Sequence, residues 1–239
     1  MPQADSNPRF FLGWTVVAAA ALSAIAQVAF FNPILGVLIP EFEREFGWSR
    51  TEISLAATVG TVCAALIAPY FGPLIDRYGG KPFVAAGGIV MAIGLVALAN
   101  METEWQFFVI YAIGRSMAAG LLNVAATVTV SKWFIRKRGM AVGLTTIGTR
   151  IGFATMPIGA QLIIDQYDWR VACYVLAAIV ATFGILPAVQ WLHRRPEAFG
   201  LLPDGAKTPP VTVTSAGTVV QQEVNWTRHD ALRTSAFWM

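Results

Sequence analysis

Six long apolar runs limit the folds open to this chain more than any other feature. They lie at about 11–39, 53–75, 82–100, 105–131, 139–164 and 170–192. Each run is long enough to cross about 30 Å of hydrocarbon as a helix, and none alternates polar and apolar residues as a membrane barrel strand does. Because lipid offers no hydrogen-bond partners, the backbone must be satisfied within each run. The sequence therefore predicts an all-α membrane protein in which six transmembrane helices form one bundle.

The composition excludes several other classes of protein. Hydrophobic residues make up 56% of the chain and charged residues only 13%, whereas soluble domains carry about 25% charged residues. The net charge of +3 comes from bases beside the apolar runs, so nucleic acid is not expected as a partner. Cys63 and Cys173 lie inside apolar runs, which indicates neither a disulfide framework nor a metal site.

An enzyme is not expected either. The sequence has no His-Glu-x-x-His motif and no phosphate-binding loop, and its two histidines, His193 and His229, fall outside the runs. No motif indicates a cofactor, and the expected surroundings of the chain are the lipid bilayer.

The distribution of basic residues predicts the orientation in the membrane. Most lysines and arginines outside the runs lie on the side that holds the N-terminus, whereas the opposite side has only Arg44, Arg50 and Arg170. The positive-inside rule then places the N-terminus in the cytoplasm. We expect a multi-pass protein of the inner (plasma) membrane.

The last part of the chain, 193–239, differs from the rest in being polar and proline-containing. This composition predicts a cytoplasmic linker. With 1–10 as the cytoplasmic N-terminus, the transmembrane bundle would occupy 11–192. Residues 231–239 carry a base followed by aromatic residues, which is typical of the lead-in to another span. Because the chain stops where a seventh helix would begin, we expect a truncated sequence rather than a half-size protein.

A short internal repeat supports a division of the bundle into two sets of three helices. The pattern Ile-Asp-x-Tyr occurs at 75–78, after the second run, and at 164–167, after the fifth. The two copies occupy equivalent places on opposite sides of the membrane. Many secondary transporters are built from such inverted triplets, so we predict a three-plus-three inverted repeat.

The loop at 72–81 carries the most specific motif of the chain. It reads Gly-Pro-Leu-Ile-Asp-Arg-Tyr-Gly-Gly-Lys. A tight turn between helices needs glycine where φ is positive, and an ordinary cytoplasmic hairpin would also carry the bases. The loop nevertheless resembles, at every position, the signature loop of the major facilitator superfamily, Gly-x-x-x-Asp-Arg-x-Gly-x-basic. It departs only afterwards, where Pro82 replaces a second base that is common in the family.

Three further stretches, 46–50, 131–141 and 195–205, are similar to bacterial relatives of monocarboxylate transporters and oxalate/formate antiporters. The resemblance extends over about residues 10–205, which correspond to the N-terminal six-helix bundle of a major facilitator type transporter. It implies alternating access, in which two six-helix bundles rock about a midplane site. The C-terminal six-helix bundle, which supplies half of the pathway in that family, is missing from this chain.

The resemblance also implies a gate on the cytoplasmic side. The residues assigned to it are Gly72, Asp76, Arg77, Gly79, Lys81 and Arg138. Asp76 would be partnered by a base of the loop between the fourth and fifth spans, such as Arg138. The gate residues would lock one face of the transporter and would not bind substrate.

Arg115 and Arg150 are the residues most informative about the substrate. At 1.5 Å per residue, each lies roughly 15 Å deep, near the membrane midplane. A guanidinium there costs at least about 2.5–3.5 kcal/mol on the insertion scale, so it should face a polar cavity and have a partner. No Asp or Glu lies well inside the six runs. The partner is therefore an anionic substrate, an acid of the missing half, or backbone carbonyls.

A few uncharged polar residues complete the candidate substrate-binding set. Thr146 lies one turn from Arg150 on the same helical face. Gln27, Asn32 and Asn123 also lie in mid-span, where such residues serve either as ligand contacts or as hydrogen-bond partners between helices. Pro33 is expected to kink the first span beside Asn32.

Two functional hypotheses follow. The first is a secondary transporter, or its N-terminal half, that moves a small organic anion such as a monocarboxylate or dicarboxylate by symport or antiport, with or without protons. The alternative is a truncated or non-transporting six-helix membrane protein, inactive without a second bundle. The sequence leaves open the substrate, the coupling ion, the direction of transport and the oligomeric state.

Overall fold

The expected six-helix bundle is confirmed by a computed structural model, which describes residues 11–193, 196–199, 201–205, 211–214 and 217–220. Six helical spans in this part are long and apolar enough to cross a membrane. In chain order they are Gly13–Phe46, Arg50–Tyr78, Gly80–Ala99, Glu104–Trp133, Arg138–Gln166 and Trp169–Trp191. We call them spans 1 to 6.

Three of the spans are interrupted helices. The α-helices are α1 (Gly13–Ala26), α2 (Asn32–Phe46), α3 (Arg50–Tyr78), α4 (Gly80–Ala99), α5 (Glu104–Ser116), α6 (Asn123–Trp133), α7 (Arg138–Gln166), α8 (Trp169–Ile179) and α9 (Leu186–Trp191). Short 3-10 segments lie at Gln27–Phe30, Pro196–Phe199 and Pro203–Gly205. Within spans 4 and 6, π-helical segments lie at Met117–Leu122 and Val180–Ile185.

Span 1 is broken near its middle. Phe31 has an extended backbone (φ −101°, ψ 164°) between Gln27–Phe30 and α2. Pro33 has no backbone N–H to continue the helical hydrogen bonds, which explains why the break lies here. The expected kink beside Asn32 is confirmed, and its consequence is that the carbonyl of Phe30 becomes available to other partners.

The order of packing agrees with an inverted repeat. The most extensive contacts join span 1 to span 5, span 2 to span 4, and span 3 to span 6. Exchanging spans 1–3 with spans 4–6 converts the first pairing into the second and leaves the third unchanged. This is the pattern that two inverted triplets of helices would produce.

The two ends of the bundle are held differently. At the N-terminal end, where span 1 begins and span 6 ends, spans 2 and 3 meet at the single residue Gly79. At the opposite end, Glu45 of span 1 accepts hydrogen bonds from Arg170 (2.6 and 2.9 Å) and from the indole N–H of Trp169 (2.6 Å). Phe42 packs edge-on against Trp169 with ring centroids 5.0 Å apart. The last turns of span 1 are therefore fixed to the start of span 6.

Within the described residues of the linker predicted at 193–239, the structure has a pair of strands that the sequence did not predict. Strands β1 (Val211–Thr214) and β2 (Gly217–Val220) form an antiparallel pair in which Val211 is opposite Val220. This hairpin belongs to a separate unit that begins at Ala206. The expected start of a seventh helix at 231–239 and the N-terminus at 1–10 lie outside the described residues.

Candidate functional site

Arg115 lies near the middle of span 4 and is buried, with 8% of its surface exposed. Its Nη1 atom donates a hydrogen bond to the backbone carbonyl of Phe30 (3.1 Å), and its Nε atom donates to the hydroxyl of Thr61 (3.2 Å). This Phe30 carbonyl is the one that becomes available to other partners because span 1 is broken beside it. Of the three kinds of partner expected for this arginine, the structure shows the backbone carbonyl.

Neighbouring groups fix the position of the Arg115 side chain without neutralising its positive charge. The guanidinium carbon lies 4.4 Å from the ring centroid of Phe31, a cation–π contact. Tyr111 donates from its hydroxyl to the same Phe30 carbonyl (3.2 Å). Among the described residues, no carboxylate forms an ion pair with Arg115. Its positive charge is therefore hydrogen-bonded but not compensated within this part of the chain.

Close packing of spans 2 and 4 allows this arrangement. A Cβ atom at Gly60 would lie 2.7 Å from the Cβ of Arg115 and 3.1 Å from the Cα of Ala112. Ser116 donates hydrogen bonds to the carbonyls of Gly60 (3.2 Å) and Ala112 (2.7 Å). Glycine fits position 60 because a Cβ there would clash with the side chain of Arg115 and press against the backbone of span 4.

A cavity of about 370 Å³ opens beside Arg115 between spans 1, 2 and 4. Its lining is Asn32, Leu35, Gly36, Ile39, Ser54, Ala57, Thr58, Thr61 and Arg115. A guanidinium has five N–H donors, of which the hydrogen bonds to Phe30 and Thr61 use two. The cavity thus combines one positive charge, unused donors and several small polar groups, and we call it the Arg115 cavity.

Three hydroxyls of this cavity were not among the residues expected from the sequence. Ser54, Thr58 and Thr61 lie at positions i, i+4 and i+7 of span 2, on one helical face. That spacing in an apolar run was a usable signal. The structure brings Asn32 and Arg115, both predicted from the sequence, to this same cavity.

A second, smaller cavity contains the other uncharged candidates. Gln27, Asn123 and Thr146 line it together with Thr127, Thr145 and Thr149, and its volume is about 30 Å³, room for one or two water molecules. Gln27 is 2% exposed and donates from Nε2 to the hydroxyl of Thr149 (3.3 Å). Its Oε1 atom is buried and has no hydrogen-bond partner in the part of the chain that the structure describes.

Arg150 is in neither cavity. Its side chain is exposed on span 5, and within the described ranges it forms no ion pair. Thr146, one turn away on the same helical face, lines the smaller cavity, whereas Arg150 does not. A role for Arg150 in binding stays a prediction.

The predicted gate residues are grouped at the N-terminal end of the bundle. Gly79 has φ 86° between α3 and α4, which is the glycine turn expected from the sequence. Asp76, in the last turn of α3, forms an ion pair of 2.7 Å with Lys132 at the end of α6. The base in this pair is in the last turn of span 4, whereas the base named from the sequence, Arg138, begins α7 and donates to the carbonyl of Ser131 (3.4 Å).

The remaining gate candidates lie close to this ion pair along the chain. The guanidinium of Arg77 is 5.4 Å from the ring centroid of Tyr78, and Lys81 is in the first turn of α4. A Cβ atom at Gly72 would have no neighbour within 4 Å among the described atoms. The structure shows the Asp76–Lys132 contact and the Gly79 turn, whereas a gating role for any of the six residues stays a prediction.

Comparisons with known proteins agree with this architecture. The family model described as Major Facilitator Superfamily matches residues 16–238. Monocarboxylate transporter 1 of Mus musculus is 29% identical over 169 residues, 70% of this chain and 34% of that protein. Monocarboxylate transporter 14 of Mus musculus is 27% identical over 65% of this chain and 30% of the relative. The Fujikurins efflux protein of Gibberella fujikuroi is 23% identical over 83% of this chain and 43% of the relative.

These relatives are all longer than the chain. The matched regions amount to 30–43% of their lengths, so the chain spans less than half of each. The family model, in contrast, matches nearly the whole chain, and the six spans account for most of the matched residues. The chain belongs to the major facilitator superfamily, a family of membrane transporters and not of enzymes.

Proposed function

We propose that this bundle is the N-terminal half of a secondary transporter that moves a small organic anion, either a monocarboxylate or a dicarboxylate, by alternating access. The observation that carries the proposal is the charge of Arg115, which pairs with no carboxylate of the described residues and lies beside a polar cavity. The names of the two monocarboxylate transporters support the same substrate class.

The free energy of burying Arg115 favours an anion as its ligand. A cation in the middle of a span is costly, and the carbonyl, hydroxyl and aromatic contacts reduce this cost without supplying a negative charge. A carboxylate that enters the Arg115 cavity would supply that charge and accept the unused N–H donors. Asn32 and Thr58 would then contact the rest of the substrate, and the smaller cavity around Gln27 would bind a polar group or water.

The gate belongs to the same proposal. The Asp76–Lys132 ion pair joins the end of span 2 to the end of span 4, so it would hold these two spans together when the N-terminal end of the bundle is closed. The proposed orientation has this end, and the N-terminus, in the cytoplasm, with the bundle in the inner (plasma) membrane. A second six-helix bundle would form the opposite wall of the pathway.

Uptake into proteoliposomes tests the substrate class. The protein expressed from its complete reading frame would be reconstituted and given labelled formate, acetate, lactate, pyruvate, oxalate or succinate. We expect saturable uptake of at least one anion and a loss of at least about tenfold in Arg115→Gln, equivalent to about 1.4 kcal/mol.

Arg44→Gln is the matched control for Arg115→Gln. Arg44 is an exposed arginine that pairs with Glu41, and exposed pairs contribute little. Equal uptake by the two variants, or no saturable uptake of any of these anions by the unaltered protein, would contradict the proposal.

A further inference from the structure

The segment that follows span 6 returns to the bundle and binds the turn between spans 4 and 5. Asp204 accepts hydrogen bonds from three consecutive backbone N–H groups of this turn, those of Ile135 (3.0 Å), Arg136 (2.7 Å) and Lys137 (3.1 Å). Three adjacent N–H groups before a helix form an anion-binding concavity. Here the anion is a carboxylate of the same chain, nearly 70 residues further along.

The segment between span 6 and Asp204 makes further contacts, both within itself and with the end of span 4. The indole N–H of Trp133 donates to the carbonyl of His193 (2.9 Å), and the ring of Phe199 lies edge-on to that of His193 with centroids 4.7 Å apart. The N–H of Leu201 donates to the carbonyl of Pro196 (3.1 Å). The Asp204 contact is therefore the end of a segment that packs on the end of span 4.

The backbone of Asp204 shows that this contact is specific. Its φ of 59° is the only positive value at a non-glycine residue in the described part of the chain. Apart from glycine, Asn and Asp adopt this conformation most readily. The three hydrogen bonds to a charged acceptor stabilise it here, and aspartate is short enough for one carboxylate to reach all three N–H groups.

The turn bound by Asp204 begins shortly after the residue that pairs with Asp76. Lys132 lies in the last turn of α6, and Ile135 is three residues later. The hydrogen bonds to Asp204 hold the N–H groups of Ile135, Arg136 and Lys137 in place. Without them, this turn would be free to move relative to α6. A fixed turn restricts where α6 can end, and so where Lys132 stands relative to Asp76.

We propose that Asp204 is a positioning residue of the gate: its carboxylate fixes the turn at 135–137, keeps Lys132 opposite Asp76, and links the segment after span 6 to that ion pair. This inference rests on the proposed gate, but the hydrogen bonds of Asp204 are independent of what the protein transports. A movement of the segment after span 6 would pull on the turn and shift the gate between its states.

Asp204→Asn isolates the carboxylate, because asparagine also tolerates a positive φ but has one acceptor oxygen instead of two. Hydrogen exchange of the reconstituted protein would follow the amides of Ile135, Arg136 and Lys137. We expect exchange at least about tenfold faster in this variant, because hydrogen bonds to a charged group are lost. Asp165→Asn, which removes an exposed acid at the opposite end, is the control and should leave these amides unchanged. Unchanged exchange in Asp204→Asn would overturn the proposal.

Transport kinetics test the link to the gate. For whichever anion is transported, Asp204→Asn should lower the maximal rate about fivefold and leave KM within twofold, because the substrate cavity is unaltered. It should have little further effect in a protein that already carries Lys132→Gln, since the two residues would act through one contact. Additive losses, or a change in KM alone, would overturn the link. If no anion is transported, the proposed function fails, and the exchange measurement still decides whether Asp204 fixes the turn.

Discussion

Arg115 shows how a single charge is tolerated in an apolar span. Its hydrogen bonds go to a carbonyl and a hydroxyl, neither of which changes the net charge of the site. A carboxylate partner in the same bundle would have made the pair neutral and left little reason for an anion to enter. Retaining the charge costs folding energy, and the proposed anion site is what would offset that cost.

Substitution of Thr61 tests the Arg115 cavity by removing a single hydroxyl group. Its hydroxyl accepts a hydrogen bond from Nε of Arg115 and donates to the carbonyl of Ala57 (2.9 Å). Thr61→Val keeps the shape and removes both bonds, so the guanidinium loses one of its two fixed contacts. We expect KM for the transported anion to rise about three- to tenfold, equivalent to about 0.7–1.4 kcal/mol. Thr61→Ser keeps the hydroxyl and should behave like the unaltered protein; a similar KM in both variants would contradict this role.

Asp204 leads to a prediction about pH. Burial raises the pKa of its carboxyl, but the N–H groups of Arg136, Lys137 and Ile135 and the charge of Lys137 have the larger combined effect and hold this pKa below the ordinary aspartate value. A lowered pKa means that the carboxylate stabilises the folded state at neutral pH, and that this contribution is lost as pH falls through the lowered pKa. The difference in Tm between the unaltered protein and Asp204→Asn should therefore be largest near pH 7, begin to shrink near the ordinary aspartate pKa of about 4, and disappear only below the lowered pKa. A difference that grows on acidification would show that the carboxylate is not the cause.

Among the elements, the contact between spans 2 and 4 sets the position of the site. Gly60 is the point of closest approach, and a methyl group there would collide with the backbone of Ala112 and the Cβ of Arg115. Gly60→Ala should destabilise the bundle by about 1–3 kcal/mol, as overpacking of a closely packed contact does. Gly36→Ala is the control, because a Cβ at Gly36 has no neighbour within 4 Å among the described atoms. Thermal unfolding in detergent measures both, and an equal Tm for the two variants would refute the close packing.

The helical spans also show which features of the fold can be predicted from the sequence and which cannot. Apolar run length found all six spans because each hydrophobic stretch must cover the bilayer. The apolar run ended near residue 39 whereas the helix continues to Phe46, since a helix can extend past the lipid with charged residues such as Glu41 and Glu43. The partners of Arg115 and Asp204 depend on distances between residues far apart in the chain. Hydrophobic period carries no such information, so the hydrogen bonds that join Arg115 to Thr61 and Asp204 to the turn at 135–137 became visible only in the structure.

For the whole molecule, the central question is whether the Asp76–Lys132 contact controls turnover. Asp76 belongs to the repeated Ile-Asp-x-Tyr pattern, and its counterpart Asp165 lies at the opposite end, where it accepts a hydrogen bond from Gln161 (2.7 Å). The two acids are thus related by the repeat, but of the two only Asp76 has an ion pair to a neighbouring span among the described residues. If the ion pair holds the N-terminal end closed during transport, its loss should affect rate and not insertion.

Asp76→Asn keeps the size of the side chain and removes its charge. We expect unchanged amounts of folded protein in the membrane and a maximal transport rate reduced at least about tenfold, which corresponds to about 1.4 kcal/mol in the barrier for the conformational change. Asp165→Asn should keep at least half of the rate, although it alters the matching position of the repeat. Chromatographic recovery in detergent and initial rates of uptake measure the two quantities separately. Full activity in Asp76→Asn, or equal losses in both variants, would mean that the ion pair stabilises the bundle without gating it.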